Sequence, residues 1–141
     1  MIQGVDRMQY TKVLNVTPVE FFDAIQESII DDVKQATNKK IHKIESGFQY
    51  SKKFGKEKMN VKIEVFKRNC EYKARMKTSH MEAVTSYVVK ECEDGKSEVT
   101  YTEESIGRKV NAFDSMRFKS ATKKQLLKME SYILSKRDSK N

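Results

Sequence analysis

The sequence predicts an α+β fold, in which a curved antiparallel sheet of six to seven strands packs against one long C-terminal helix, with one or two helices between strands 1 and 2. Three observations predict it: a strand followed at once by a helix start, a long middle region of short alternating runs, and an amphipathic last segment. The length of 141 residues suits one domain, residues 1–141, and we expect residues 1–7 and 138–141 to be frayed.

The first strand and helix are predicted by a change of apolar period. Apolar residues alternate along Met8–Val16, as in a strand with one buried face. The segment Thr17–Glu20 then supplies a hydroxyl N-cap, a proline in the first turn and a glutamate three residues later, which is a capping box. An apolar stripe continues to about Thr37. Residues 38–40 offer no strong C-cap. Asp31 and Asp32 lie late in the helix, where negative charge opposes the helix dipole, so two short helices that meet near Ser28 are an alternative.

The middle of the chain predicts an antiparallel meander. Five strand-like runs are separated by short turns that contain Gly or Asn, residues that accept positive φ. In the second run Met59, Val61, Ile63 and Val65 alternate with polar residues, so one sheet face is expected to be apolar. The runs are Ile41–Phe54, Lys58–Lys67, Cys70–Thr78, Glu82–Cys92 and Ser97–Glu104.

The last segment, Val110–Arg137, is predicted to be the helix that covers the apolar face. Its polar side is rich in lysine, which is typical of a solvated helix face. Its apolar stripe is broken, and the strongly polar character of the helix leaves open a small or closed cavity below it. The stripe consists of Phe118, Ala121, Leu126, Met129, Tyr132 and Ile133.

Charge and hydropathy narrow the function classes. The net charge is +8, but residues 41–79 hold 11 Lys and Arg against 4 Asp and Glu, whereas residues 80–105 hold 2 against 7. An acidic block in the middle argues against a nucleic-acid binder. No apolar run reaches the ~18 residues of a membrane helix, and no secretory signal is evident, so we predict no membrane span and a cytoplasmic location.

The reactive side chains predict no catalytic residues, no metal site and no cofactor. Cys70 and Cys92 lack a CxxC spacing, and we interpret them as reduced core thiols. His42 and His80 stand among polar residues at strand ends and are interpreted as surface histidines. We therefore expect a protein without enzymatic activity.

The apolar face itself is the candidate site. Inward tyrosines bring hydroxyls that need partners, and an apolar cavity with a few polar groups is what an amphipathic small ligand requires. Whether this space is filled or hollow stays open at this point. The candidate pocket residues are Phe48, Tyr50, Met59, Val61, Ile63, Tyr72, Met76, Tyr87, Val89, Tyr101, Phe118, Leu126 and Met129.

Two resemblances extend this prediction. The order of the elements resembles the START-like superfamily, also called SRPBCC or Bet v 1-like, with its helix-grip fold. The segments Val16–Phe22, Asp32–Thr37, Gly47–Tyr50 and Lys53–Gly55 are similar to domain-of-unknown-function family 3284, small proteins of Gram-positive bacteria. The superfamily resemblance implies that apolar molecules bind between sheet and C-terminal helix, whereas the family resemblance implies no activity.

Three functions remain open from the sequence. The first is a module that binds an apolar or amphipathic small molecule. The second is a closed-core interaction protein, for example a homodimer formed through an edge strand or through the helix that carries Lys123 and Lys124. The third is a cyclase-like or hydrolase-like enzyme, which would need polar groups such as Tyr72, Arg75 or His80 within one cavity.

Overall fold

The computed structural model describes residues 5–107 and 112–139. In these residues six antiparallel strands form one sheet in the order β1-β6-β5-β4-β3-β2, with one helix between β1 and β2 and a long helix at the end. The predicted fold class is thereby confirmed. The elements are β1 (Val5–Leu14), α1 (Pro18–Thr37), β2 (Gln49–Phe54), β3 (Glu57–Lys67), β4 (Glu71–Lys77), β5 (Glu82–Glu91), β6 (Ser97–Ile106) and α2 (Ala112–Ser139).

Helix α1 begins at the predicted capping box. The Glu20 N–H donates to Thr17 Oγ1 over 3.1 Å, and the Thr17 N–H donates to Glu20 Oε1 over 2.9 Å. The helix then runs unbroken to Thr37, so the alternative of two helices was wrong. Asn38 ends it in the left-handed conformation with φ 60°, and its N–H donates to the Lys34 carbonyl oxygen over 2.8 Å. Asparagine tolerates that conformation, so the cap is stronger than the sequence indicated.

Strand β2 is shorter than predicted, because it begins at Gln49 rather than at Ile41. The segment 39–46 has no strand structure. Ile44, which contributed to the predicted strand pattern, is 6% exposed and belongs to the core. The apolar residues of this connection therefore fix a loop onto the core instead of extending the sheet.

A β-bulge in β3 changes which side chains face the core. Ile63 pairs with Ala74, but the next pairs are Val65 with Lys73 and Phe66 with Tyr72. Because the extra residue shifts the alternation by one, Phe66 joins the inner face and Val65 shares the outer face with Lys73. The prediction that Val65 lies on the apolar face was wrong.

Helix α2 includes the predicted segment from Ala112 onward, while residues 110 and 111 lie outside the described residues. Its buried side chains are Phe118, Thr122, Leu126 and Ile133, whereas the predicted Ala121 and Tyr132 are exposed. Neither described helix is long and apolar enough to cross a membrane.

Regular structure reaches into both chain ends for which fraying was predicted. Strand β1 starts at Val5, and helix α2 continues to Ser139. Residues 1–4 and 140–141, which belong to the predicted frayed ends, lie outside the described residues.

The cysteines do not lie in the core. Both are free, Cys70 is exposed, and Cys92 is half-buried. Asn69 adopts φ 67° in the turn before β4, and this strand begins only at Glu71. The strand pattern therefore begins one residue after Cys70, and the interpretation of core thiols was wrong.

Candidate ligand-binding site

An open cavity of about 830 Å³ lies between α1, the sheet and α2. We call it the main cavity, and its volume lies within the range of small-molecule sites. A smaller space of about 310 Å³, the side cavity, adjoins it and shares Tyr72, Met76 and Thr85. The uncharged wall of the main cavity includes Ala24, Ile25, Ser28, Ile29 and Ile30 of α1, Tyr72, Met76, Thr85, Tyr87 and Tyr101 of the sheet, and Gln125, Met129 and Tyr132 of α2.

A row of aromatic rings crosses the inner face of the sheet at one level. Tyr72 and Tyr87 are directly paired, as are Tyr87 and Tyr101, and their ring centroids lie 6.3 Å and 4.9 Å apart. Phe66 continues the row on β3, and Tyr10 continues it on β1 opposite Tyr101. The sheet thus offers a continuous aromatic surface, of which three tyrosines border the main cavity.

Most tyrosine hydroxyls near this surface have protein partners. Gln125 Nε2 donates to the Tyr87 hydroxyl over 2.6 Å, and the Tyr101 hydroxyl donates to Glu103 Oε2 over 3.4 Å. In the side cavity the Tyr50 hydroxyl donates to Asp32, which also accepts from Lys52 Nζ over 3.0 Å. Burial raises the pKa of Tyr50, Tyr87 and Tyr101 above the ordinary value of 10.0, so these hydroxyls stay protonated.

Tyr72 differs from the other three. It lines both cavities, and its hydroxyl has no hydrogen-bond partner among the residues that the structure describes. Burial raises the pKa of Tyr72 to about 12, and the nearby charge of Asp32 adds to the effect. The hydroxyl is therefore a neutral donor that is available to a bound molecule.

The mouth of the main cavity carries five charged residues, namely Glu27, Asp31, Lys34, Lys40 and Lys128. Glu27 accepts from Lys136 Nζ over 2.7 Å and from the Tyr132 hydroxyl over 2.8 Å. Asp31 accepts from Gln35 Nε2 over 2.9 Å. The three lysines have no ion-pair partner within residues 5–107 and 112–139.

A pair of salt bridges joins the two helices beside the cavity. Arg137 Nη2 lies 2.6 Å from Glu20 Oε1, and Lys136 Nζ lies 2.7 Å from Glu27 Oε2. We call these two ion pairs the clasp. The Arg137 guanidinium lowers the pKa of Glu20 from 4.5 to about 2. The clasp therefore holds the C-terminal end of α2 against α1 at neutral pH.

The structure separates the thirteen candidate pocket residues into three groups. Tyr72, Met76, Tyr87, Tyr101 and Met129 line the main cavity. The side cavity adds Tyr50 and Val61 to those it shares with the main cavity. Six residues line neither space, since they pack in or against the core or below α2: Phe48, Met59, Ile63, Val89, Phe118 and Leu126.

Sequence reasoning missed the contribution of α1. Ile29 and Ile30 form part of the wall, and Lys34 stands at the mouth. The apolar stripe of α1 was visible in the sequence, but the spacing of a stripe does not tell whether a helix touches the sheet or stands away from it.

The residues considered for an enzyme do not converge. Tyr72 lines the cavity, whereas Arg75 lies on the outer face and pairs with Glu64 and Glu82. His80 lies beyond β4, where its Nδ1 is 3.0 Å from Ser79 Oγ. In the described parts of the chain no group of three or more His, Cys, Asp or Glu could hold a metal ion.

Comparison with known proteins places this geometry in a familiar architecture. The family model "Domain of unknown function (DUF3284)" matches residues 8–128. No curated protein matches the chain. Among solved structures, Ara h 8.0201 has 14% identity and a TM-score of 0.64, over 94% of this chain and 99% of that one.

Two further structures have similar scores. The Aha1 dimer from Colwellia psychrerythraea has 13% identity and a TM-score of 0.62, over 91% of this chain and 96% of that one. The protein of unknown function SA2116 from Staphylococcus aureus has 11% identity and a TM-score of 0.62, over 97% and 98%. At these identities the likeness shows the fold alone.

Proposed function

Because this chain belongs to the DUF3284 family and has the Bet v 1-like fold, we propose that it binds an apolar or amphipathic small molecule in the main cavity. The observation that carries the proposal is the main cavity itself, about 830 Å³ of open space between α1, the sheet and α2. Small domains normally fill such space with side chains, because empty volume loses dispersion contacts. A cavity of this size supports a binding role better than a structural one.

The chemistry of the wall supports an amphipathic ligand. Ile25, Ile29 and Met129 offer apolar contacts from the two helices, and the tyrosine row offers a flat aromatic surface. Tyr72 adds one free hydroxyl donor inside the site. A ligand with an apolar body and an acceptor oxygen matches these groups.

The same wall supports binding rather than catalysis. A general base must lose its proton near the working pH, whereas the raised pKa values of Tyr72, Tyr87 and Tyr101 keep these groups protonated. Their hydroxyls can orient a ligand but cannot accept a proton from it. We therefore propose that the tyrosine row holds a ligand rather than acting on it as a base.

The test uses the uncharged fluorescent probe N-phenylnaphthylamine and two matched substitutions. Met76 lines both cavities, so Met76→Trp should fill the space between them and weaken probe binding about tenfold or more. Met116 is 71% exposed and lines no cavity, so Met116→Trp is the control and should bind like the wild type. Circular dichroism of both variants checks that the fold is retained.

Two results would contradict the proposal. The first is that the wild-type protein fails to bind the probe at all. The second is that Met76→Trp, although folded, binds it as well as Met116→Trp does. Native mass spectrometry of protein purified gently from its own host gives an independent readout, because extra mass that is lost on denaturation would report a natural ligand.

A further inference from the structure

The charges at the mouth of the main cavity are unevenly balanced. Lys34 on α1, Lys40 just after α1 and Lys128 on α2 all border this one opening and are exposed. None of the three has an ion-pair partner among the described residues. Cations from two different helices thus flank a single entrance.

The acidic residues at the mouth do not neutralise these lysines. The charge of Glu27 is already paired with Lys136 through the clasp, at 2.7 Å. Asp31 accepts a hydrogen bond from the uncharged Gln35, so it is the one carboxylate left to offset three lysines. The mouth therefore has a positive balance, which attracts anions.

The interior near the side cavity has no such excess of positive charge. Asp32 lies there and is paired with Lys52 at 3.0 Å, so it offers nothing to an anionic group. Glu103 accepts from the Tyr101 hydroxyl on the same inner face. An anionic group placed there would find no cation without a carboxylate partner, whereas at the mouth it would meet lysines that have no ion-pair partner among the described residues.

From this polarity we infer that the ligand class is an anionic amphiphile, whose apolar body lies on the tyrosine row and whose carboxylate, sulfate or sulfonate group stays at the mouth with Lys34, Lys40 and Lys128. The inference rests on the proposed function and deepens it. The apolar body supplies the burial, and the three lysines select for negative charge at the exposed end.

A matched pair of probes separates charge from burial. Anilinonaphthalene sulfonate and N-phenylnaphthylamine share one aromatic skeleton and differ in the sulfonate. We expect the wild-type protein to bind the sulfonate probe several-fold more tightly at low salt, and this preference should shrink as salt is added. The triple variant Lys34→Gln, Lys40→Gln and Lys128→Gln should weaken the sulfonate probe roughly tenfold and leave the neutral probe within about twofold.

The control removes the same number of charges elsewhere. Lys53, Lys56 and Lys58 are exposed around the β2–β3 turn and line none of the cavities described here, so their triple change to Gln should leave both affinities at wild-type values. Equal binding of the two probes by the wild type would overturn the selection for an anion and leave the proposed function standing. An equal loss of both probes in the mouth variant would also overturn it. Failure of both probes to bind the wild type would overturn the proposed function, and this inference with it.

Discussion

The two halves of α1 meet the sheet in different ways. In the first half Phe21 and Phe22 are fully buried, and their rings lie 5.3 Å from Tyr87 and 6.0 Å from Phe66. In the second half Ile29 and Ile30 border the main cavity. One continuous apolar stripe therefore supplies only packed core at Phe21 and Phe22, and supplies cavity wall as well from Ala24 onward. The comparison teaches that the volume of the side chains, rather than their spacing along the helix, decides where the space between helix and sheet is filled.

The largest effect on stability is expected when a buried side chain in the first half of α1 is truncated. Phe22→Ala should lower the free energy of unfolding by about 3 to 5 kcal/mol, because it leaves a cavity among fully buried neighbours. Met76→Ala, on β4, should lower it by about 1 kcal/mol, since Met76 already borders the main cavity. Urea denaturation measures both values. Similar losses for the two variants would show that the halves are equally packed.

The hydroxyls of Tyr50 and Tyr72 should differ in their effect on stability by an intermediate amount. Tyr50→Phe removes a hydrogen bond to the charged Asp32 and should lower the free energy of unfolding by about 1 to 2 kcal/mol. Tyr72→Phe removes a hydroxyl without a described protein partner, so its effect should stay within about 0.5 kcal/mol. Thermal or urea unfolding separates the two variants. If Tyr72→Phe proved the more damaging, its hydroxyl would have to serve the fold rather than a ligand.

The last of these contrasts concerns the ion pair of the clasp between Glu20 and Arg137. The pKa of Glu20 is about 2 in the folded protein and 4.5 ordinarily, so its contribution is complete above pH 4.5 and is lost as the pH falls toward 2. Because this ion pair is partly exposed and screened by solvent, we expect about 1 kcal/mol. Glu20→Gln should therefore be less stable than the wild type at pH 7 and equally stable near pH 2.

Unfolding curves recorded between pH 7 and pH 2 check this difference. Gln can still accept the capping hydrogen bond, so the variant isolates the charge. Glu91→Gln is the matched control, since Glu91 is exposed and should give no difference at either pH. A gap between wild type and Glu20→Gln that persisted unchanged at pH 2 would show that the clasp does not act through charge.

The elements of the fold followed from local patterns because each pattern has a local cause. The capping box at Thr17–Glu20 depends only on neighbouring residues, and it lies where the sequence placed it. The predictions from sequence were wrong where tertiary contacts determine the local structure. Ile44 packs in the core from a loop, and the bulge after Ile63 moved Val65 to the outer face. Neither choice can be read from alternation alone.

The site was harder to predict than the fold. A buried core residue and a cavity-lining residue have the same side-chain types, so Ile63 and Met76 could not be told apart in the sequence. The contribution of Lys34 depends on how far the second half of α1 stands from the sheet. That distance is set by the volumes of side chains from several elements, which no single segment specifies.

The aromatic row also marks the correct alignment of the strands. Each ring of the row is paired with the ring on the neighbouring strand. The pairs are Phe66 with Tyr72, Tyr72 with Tyr87, Tyr87 with Tyr101, and Tyr101 with Tyr10. A slip of one residue between any two of these strands would turn one part of the row toward water. Strand β1 pairs with β6 although α1 and four strands lie between them in the chain. The pair Tyr10 and Tyr101 therefore disfavours misaligned closure of the sheet, since a shifted register would expose bulky rings.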